Sequence, residues 1–324
     1  MSTGHVGIVW NPSKTSRYEL ENALEKAFER VLTGTAEVRV SWHETGEDDP
    51  GLGAARGAVE AGADVVLAAG GDGTVRAVAE HLAESGARAE LGIIPLGTGN
   101  LLARNLGVPL KDLTAAFERA LTGEAIPLDI GWARLAVDGE TDGKRYAFAV
   151  MAGFGIDAHM ITETDDDLKD RAGWLAYVES LGRALSASEV IDIRLSGQNL
   201  EPSDEQAHTL LIGNCGSLQG GMTLLPDADP SDGELDLLVL SADSIPGWAD
   251  TMRNLVWDNG LRRLLSPSSS DEDQAKSSDS ATHRRITELT VELDEPRVFE
   301  VDGDALGETN RVEISVQPGA VRVR

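Results

Sequence analysis

Hydrophobic and polar positions alternate in two different textures along this chain. In the first third, short apolar runs at Val6–Trp10, Val38–Trp42, Val65–Ala69 and Leu91–Ile94 predict strands. Stretches of helical period separate them. Tyr18–Leu32 puts Leu20, Leu24, Phe28, Val31 and Leu32 on one face behind an acidic start; Leu52–Ala61, Val75–Leu82 and Leu101–Leu106 read as further helices. Strands alternating with helices predict an α/β domain with a parallel sheet, and such sheets bind ligands at the carboxyl ends of their strands.

After about Ile126 the texture changes. Leu128–Leu135, Tyr146–Val150, Ile191–Leu195, Thr209–Ile212, Leu235–Leu240, Leu289–Leu293, Arg297–Val301 and Arg311–Val316 read as strands, with helices only at Gly173–Leu185 and Gly247–Leu265. Many strands with few crossovers predict an antiparallel β-sandwich. Residues 1–125 are therefore expected to form the α/β domain and 126–324 the sandwich, the final strand being free to return to the first domain. Asp138–Lys144 reads as a hairpin turn, and the acidic, low-complexity Ser266–Ala281 as a mobile loop.

Composition narrows the function. The chain has 324 residues, enough for two cores, and a net charge of −27, which argues against nucleic acid as a partner. Cys215 is the single cysteine, so no internal disulfide forms. No leader-like start and no long uncharged apolar stretch is present; a cytoplasmic protein with only peripheral membrane contact is expected. The sequence leaves a homodimer open.

Two glycine-rich segments carry the strongest chemical signal. VVLAAGGDGT runs from a buried strand into Gly70, Gly71, Asp72, Gly73 and Thr74 and then into a helix. Glycines there let backbone N–H groups approach a ligand, and the helix start favours a phosphate. Asp72 is poised for a metal or an attacking hydroxyl. IPLGTGNLLARN repeats the arrangement after the next strand with Thr98, Gly99 and Asn100; simple N-capping by Asn100 or Thr98 is the plainer reading. Two such loops in consecutive βα units flank one crevice. GIVWNPSK, with Asn11, Pro12, Ser13 and Lys14, is a turn at the end of strand one. Near the other end, VDGD (Val301–Asp304) reads as a β-turn with exposed acids, and Asp227, Asp229, Asp232 and Glu234 make an acidic segment able to hold a hard cation or merely to turn. No zinc spacing, Walker-type phosphate loop or nucleophile elbow occurs.

These motifs together resemble the bacterial diacylglycerol kinase and sphingosine kinase-like lipid kinases. GGDGT is that family's hallmark, Asn11–Lys14 is similar to its NPxSG without the last glycine, and PLGTGNLLARN, IPLDIG, AGFGIDA, LKDRAGWLAYV, GNCGSLQGGMTLLPDADPSDGELDLLVL and VDGD follow in the family's order. The resemblance implies a nucleotide-binding α/β domain, a C-terminal β-sandwich and an active site in the cleft between them, with ATP and magnesium. It implies nucleotide contacts from Asn11, Pro12, Ser13, Lys14, Thr45, Gly70–Thr74 and Thr98–Asn100, a phosphate or magnesium role for Asp72, and magnesium ligands at Asp232, with Asp229 and Glu234 helping. It makes Asp304 the general base where the family usually has glutamate; Arg76-Ala77 stands where many members have Asn-Glu. It implies a lipid substrate met at a membrane surface, with Lys169, Arg171, Arg262, Arg263, Arg284 and Arg285 as the basic residues available for approach. Rival readings are an NAD kinase-like enzyme, which also uses GGDGT, and a nucleotide-binding regulatory module without turnover.

Overall fold

The computed structural model describes residues 4–31, 38–137, 143–154, 190–198, 200–217, 224–240 and 281–324. The expected helices at 173–185 and 247–265, nearly all of the acidic loop at 266–281, most of the 138–144 turn, and Lys169, Arg171, Arg262 and Arg263 lie outside these residues. The chain divides into two compact units. The first comprises 1–130, 231–233 and 317–324; the second comprises 131–230 and 234–316. The division thus falls after Ile130, a few residues beyond the expected 125, and two distant segments join the first unit.

In the first unit, β1 (His5–Trp10), β2 (Arg39–Glu44), β3 (Val65–Gly70) and β4 (Glu90–Pro95) form a parallel sheet in the order β4-β3-β1-β2. Every residue of β1 and β3 is buried, as uninterrupted apolar runs covered on both faces require. The half-exposed β2 forms an edge. Five helices connect and cover the strands: α1 (Arg17–Val31), α2 (Leu52–Glu60), α3 (Asp72–Ser85), α4 (Leu101–Asn105) and α5 (Leu113–Thr122). A capping box opens α1: the N–H of Ser16 donates to Glu19, and the N–H of Glu19 donates to the Ser16 hydroxyl. α5 was not anticipated, although Asp112 caps it by accepting from the N–H of Ala115, and Gly123 follows it. The far end of β14 (Asp304–Val323) completes this sheet beyond β4, with Val323 opposite Leu91 in parallel.

Asp129 secures the returning segments. It lies in β5 (Ile126–Leu135), is 1 % exposed, and accepts from the N–H of Gly233 and of Gly319, both at 2.6 Å. A buried carboxylate is tolerated when its lone pairs are met by donors, as here.

The second unit is antiparallel. β10 (Thr209–Gly213) lies between β7 (Met151–Phe154) and β11 (Leu235–Leu240), and β12 (Ala281–Ile286) borders β11. β13 (Glu288–Val301) pairs with β7, β14 and β8 (Ile191–Gly197); β8 pairs in turn with β9 (Leu200–Ala207), and β5 with β6 (Lys144–Phe148). Alternate residues point into one core built from Phe148, Phe154, Leu195, Leu237, Val291 and Phe299 among others. Phe154 and Phe299 meet edge to face, their centroids 4.9 Å apart.

Candidate active site

Three backbone bonds extend the first unit's ladder beyond its strands. The N–H of Thr45 donates to Trp10 O (3.0 Å), that of Asn11 to Ala69 O (3.1 Å), and that of Leu96 to Gly70 O (2.8 Å). The loops after all four strands are thereby laced along the carboxyl edge. The chain moves to opposite sides after β1 and β3, the switch point where open α/β sheets form a crevice. Asn11 Oδ1 accepts from the N–H (2.9 Å) and the hydroxyl (2.7 Å) of Ser13, closing a tight turn that leaves Pro12, Ser13 and Lys14 exposed. Thr45 is buried beside that turn's root.

The two glycine loops meet at backbone contact. A Cβ on Gly97 would lie 2.7 Å from the Cα of Gly71; one on Gly99 would lie 2.7 Å from Asp72 Oδ2, and one on Gly70 2.5 Å from Thr74 Cβ. Close approach, rather than an unusual φ, is what excludes side chains here. Thr98 sits exposed at the tip.

Asp72 was expected to face a metal or phosphates. Its carboxylate receives the N–H of Asn100 on Oδ2 (2.8 Å) and that of Leu101 on Oδ1 (2.6 Å), so it clasps the start of α4. Asn100 adopts φ 48° and does not cap the helix through its side chain, which was the plainer sequence reading; the amide bonds back to the N–H and carbonyl of Gly97. The consequence is electrostatic. Asp72 accepts from two amides that open α4, whereas the N-cap of α3 is Gly71, which has no side chain to cap it. The first amides of that 14-residue helix therefore converge with the positive end of its dipole beside the glycine loops. This is an anion-binding arrangement.

In the second unit, Asp302 and Gly303 form the two-residue turn between β13 and β14, with φ of 48° and 86°. Two positive φ values and an Asp-Gly pair fit a type I′ hairpin. Asp304, the expected base, is exposed. Its neighbour Asp302 is the buried acid: it accepts from the N–H of Ala149 (2.9 Å), Val150 (2.9 Å) and Met151 (3.0 Å). The reading of VDGD as a turn with exposed acids therefore fails at Asp302. Cys215 donates to Ala149 O, and burial, reinforced by the negative charges of Asp302 and Asp229, pushes its thiol far up, leaving it inert as a nucleophile.

Asp229 and Asp232 are exposed, Glu234 faces Arg285 at 3.3 Å, and no group of acids, histidines or cysteine among the described residues converges on a metal position. Arg284 pairs with Glu205 at 3.1 Å. Arg76 lies 3.8 Å from Glu80, one turn along α3, with both side chains largely covered. Sequence reasoning missed Asp129 and Asp302 as organising acids; a lone aspartate inside an apolar strand and a two-residue Asp-Gly turn were the available signals.

Residues 5–133 match the diacylglycerol kinase catalytic domain, and residues 149–257 match the YegS C-terminal NAD kinase beta sandwich-like domain. A Stenotrophomonas maltophilia (strain K279a) protein named "Probable lipid kinase YegS-like" is 32% identical over 327 residues, covering 100% of this chain and 96% of its own. A Pseudomonas aeruginosa (strain PAO1) protein of the same name is 33% identical over 287 residues, covering 88% of this chain and 83% of its own. A Bacillus anthracis str. Sterne structure described as a diacylglycerol kinase aligns with a TM-score of 0.65 at 20% identity, over 99% of this chain and 96% of its own, a likeness of fold.

Proposed function

The chain belongs to the YegS-like lipid kinases, built on a diacylglycerol kinase catalytic domain, and from that premise we propose that it transfers the γ-phosphoryl group of ATP to a hydroxyl of diacylglycerol or a related lipid. The observation that carries this reading is the contact of two glycine loops beside the start of α3, whose N-cap is Gly71. Backbone packed this closely leaves no side chain in the way of phosphate oxygens, and the helix start supplies donors and positive potential. Phosphoryl transfer asks a protein chiefly for positioning and charge stabilisation.

In this reading Asn11, Pro12, Ser13 and Lys14 form one bank of the nucleotide site and Thr45 its floor. Gly70, Gly71, Gly73 and Thr74 hold the phosphates, with Thr98, Gly99 and Asn100 opposite. Asp72 is a positioning residue, because its oxygens fix the second loop against the first. The lipid hydroxyl oxygen forms a bond to the γ-phosphorus as the bond to the β–γ bridging oxygen breaks, leaving ADP. The hydroxyl proton passes to the exposed carboxylate of Asp304, which is one methylene shorter than the family's usual glutamate. Magnesium belongs to this reading as a companion of the ATP phosphates. Such an ion keeps several waters and needs only one or two protein carboxylates, for which Asp232 is the candidate, with Asp229 and Glu234 near it in sequence. The lipid is met by peripheral contact at the cytoplasmic membrane surface; among the described residues no helix is long and apolar enough to cross a membrane.

The test is transfer of radiolabel from γ-labelled ATP to lipids in mixed micelles, with NAD as a control acceptor, for the wild type and for Asp304→Ala. Labelled lipid from the wild type, reduced about 10²–10⁴-fold in the variant, is the expected result. Labelled NADP would move the chain to NAD phosphorylation, and bound ATP without any labelled product would leave a regulatory module.

A further inference from the structure

The second unit holds a cavity of about 500 Å³ whose lining includes the core residues Leu289 and Ile314. Strand alternation dictates its lining. Ala133, Leu135 and Phe148 turn inward, so Trp132, Arg134 and Arg145 share the other face of the β5–β6 ribbon. Ser196, Glu288 and Glu313 line the same cavity, beside the core residues Leu289 and Ile314.

The arginines are arranged unfavourably for folding alone. Arg134 stands directly opposite Arg145 in register, and like charges in that position destabilise a strand pair. Arg145 is held flat, its Cζ 3.8 Å from the Trp132 ring centroid, which fixes the plane of the guanidinium and leaves its edge donors unspent. Neither arginine forms an ion pair or hydrogen bond among the described residues. Glu313 is engaged by Arg311 at 2.9 Å, while Glu288 has no ion-pair partner among the described residues. In a chain of net charge −27, two adjacent cations that line one cavity with Glu288 and Glu313 form a site of mixed polarity.

We propose that this cavity binds a small phosphate ester, its phosphate held by Arg134 and Arg145 and the hydrogen-bond donors of its other end taken by Glu288. Paired guanidiniums suit phosphate because each offers two parallel N–H donors. The acids in the same cavity repel polyanions such as a nucleotide triphosphate, and therefore favour a single phosphate carrying an amino or hydroxyl group. The ester is either a free metabolite or the headgroup of a phospholipid, and the chemistry of recognition is the same for both. This site is independent of the proposed kinase reaction.

The experiment is calorimetric titration of the full chain with phosphoethanolamine and with glycerol 3-phosphate, in the presence of excess non-hydrolysable ATP analogue. Co-sedimentation with phosphatidylethanolamine vesicles, against phosphatidylcholine vesicles, forms the lipid arm. Arg134→Gln and Arg145→Gln are each expected to weaken binding about tenfold or more, Arg145→Lys less, and added salt to weaken it further. Because Arg134 is exposed and repelled by Arg145, Arg134→Gln should retain or raise Tm, which keeps loss of binding distinct from unfolding. Binding of the soluble ester assigns a free metabolite; binding of vesicles alone, lost in the double variant, assigns a headgroup. Absence of both, binding unchanged in the double variant, or binding abolished by the ATP analogue overturns the proposal. Phosphocholine bound as tightly as phosphoethanolamine overturns the role given to Glu288.

Discussion

Asp72, Asp302 and Asp304 are chemically alike, and their surroundings give them different work. Asp72 takes two amides across the glycine loops, Asp302 takes three inside the second unit, and Asp304 faces solvent. Removing an acceptor from buried donors costs about 1–3 kcal/mol for each group left unsatisfied. Asp302→Ala is therefore expected to lower stability by at least about 2 kcal/mol in urea unfolding, whereas Asp304→Asn should stay within about 0.5 kcal/mol of the wild type while losing turnover. An Asp304→Asn protein as unstable as Asp302→Ala would contradict this division. Asp72→Ala should lose both stability and nucleotide affinity. Gly97→Ala tests the loop contact more selectively: its Cβ would meet the Gly71 backbone, so ATP affinity should fall well before Tm does. The glycines were legible in the sequence because only close approach to a ligand or another backbone explains so many in two loops. The partner of Asp72 was not legible, since it lies 28 residues away and hydrogen-bonds through main-chain groups.

At the scale of elements, the alternating half was readable because buried parallel strands are uniformly apolar and their helices carry a clear period. Misses have physical causes. β9 (LEPSDEQA) is polar because among the described residues it pairs only with β8, so its composition carries no burial signal. Two expected strands at 289–293 and 297–301 are one strand, β13, with a register irregularity between Glu292 and Arg297, where Pro296 interrupts the pattern. Histidines give the elements a pH dependence. Burial lowers the pKa of His43, aided by the nearby His5; it lowers that of His81, aided by Arg56, and that of His283 despite Asp227. A folded-state pKa below the ordinary value of about 6.5 means the folded form resists protonation. Its contribution to stability is complete above about pH 6.5 and is lost as pH falls below that value. Urea midpoints should thus decline on acidification before the carboxylates titrate, and less so in His283→Asn. A flat profile through that window would refute the assignment.

For the whole molecule, the division after Ile130 lies a few positions beyond the expected boundary at residue 125, but the return of 231–233 to the first unit was invisible. Nothing in Ser231-Asp232-Gly233 reads as part of an α/β domain; a single aspartate more than a hundred positions earlier draws it there. Deleting Gln317–Arg324 removes the Val323 rung, the Arg324–Glu90 ion pair at 2.5 Å and the second donor to Asp129. Such a chain is expected to unfold its first unit at lower temperature while the second keeps its transition, a difference calorimetry resolves. The net charge of −27 adds a global term: self-repulsion is screened by salt, so Tm of the intact protein should rise with moderate sodium chloride.

The grip of Asp129 on Gly319 also sets an order of events during synthesis. The nascent chain makes Asp129 early, yet its second partner emerges only 190 residues later, after the whole of the second unit. Until then the sheet edge at β4 has no final neighbour and a buried carboxylate waits half-satisfied. The first unit to be translated is consequently the last to be completed, and for that interval it depends on whatever shields an open edge on or near the ribosome.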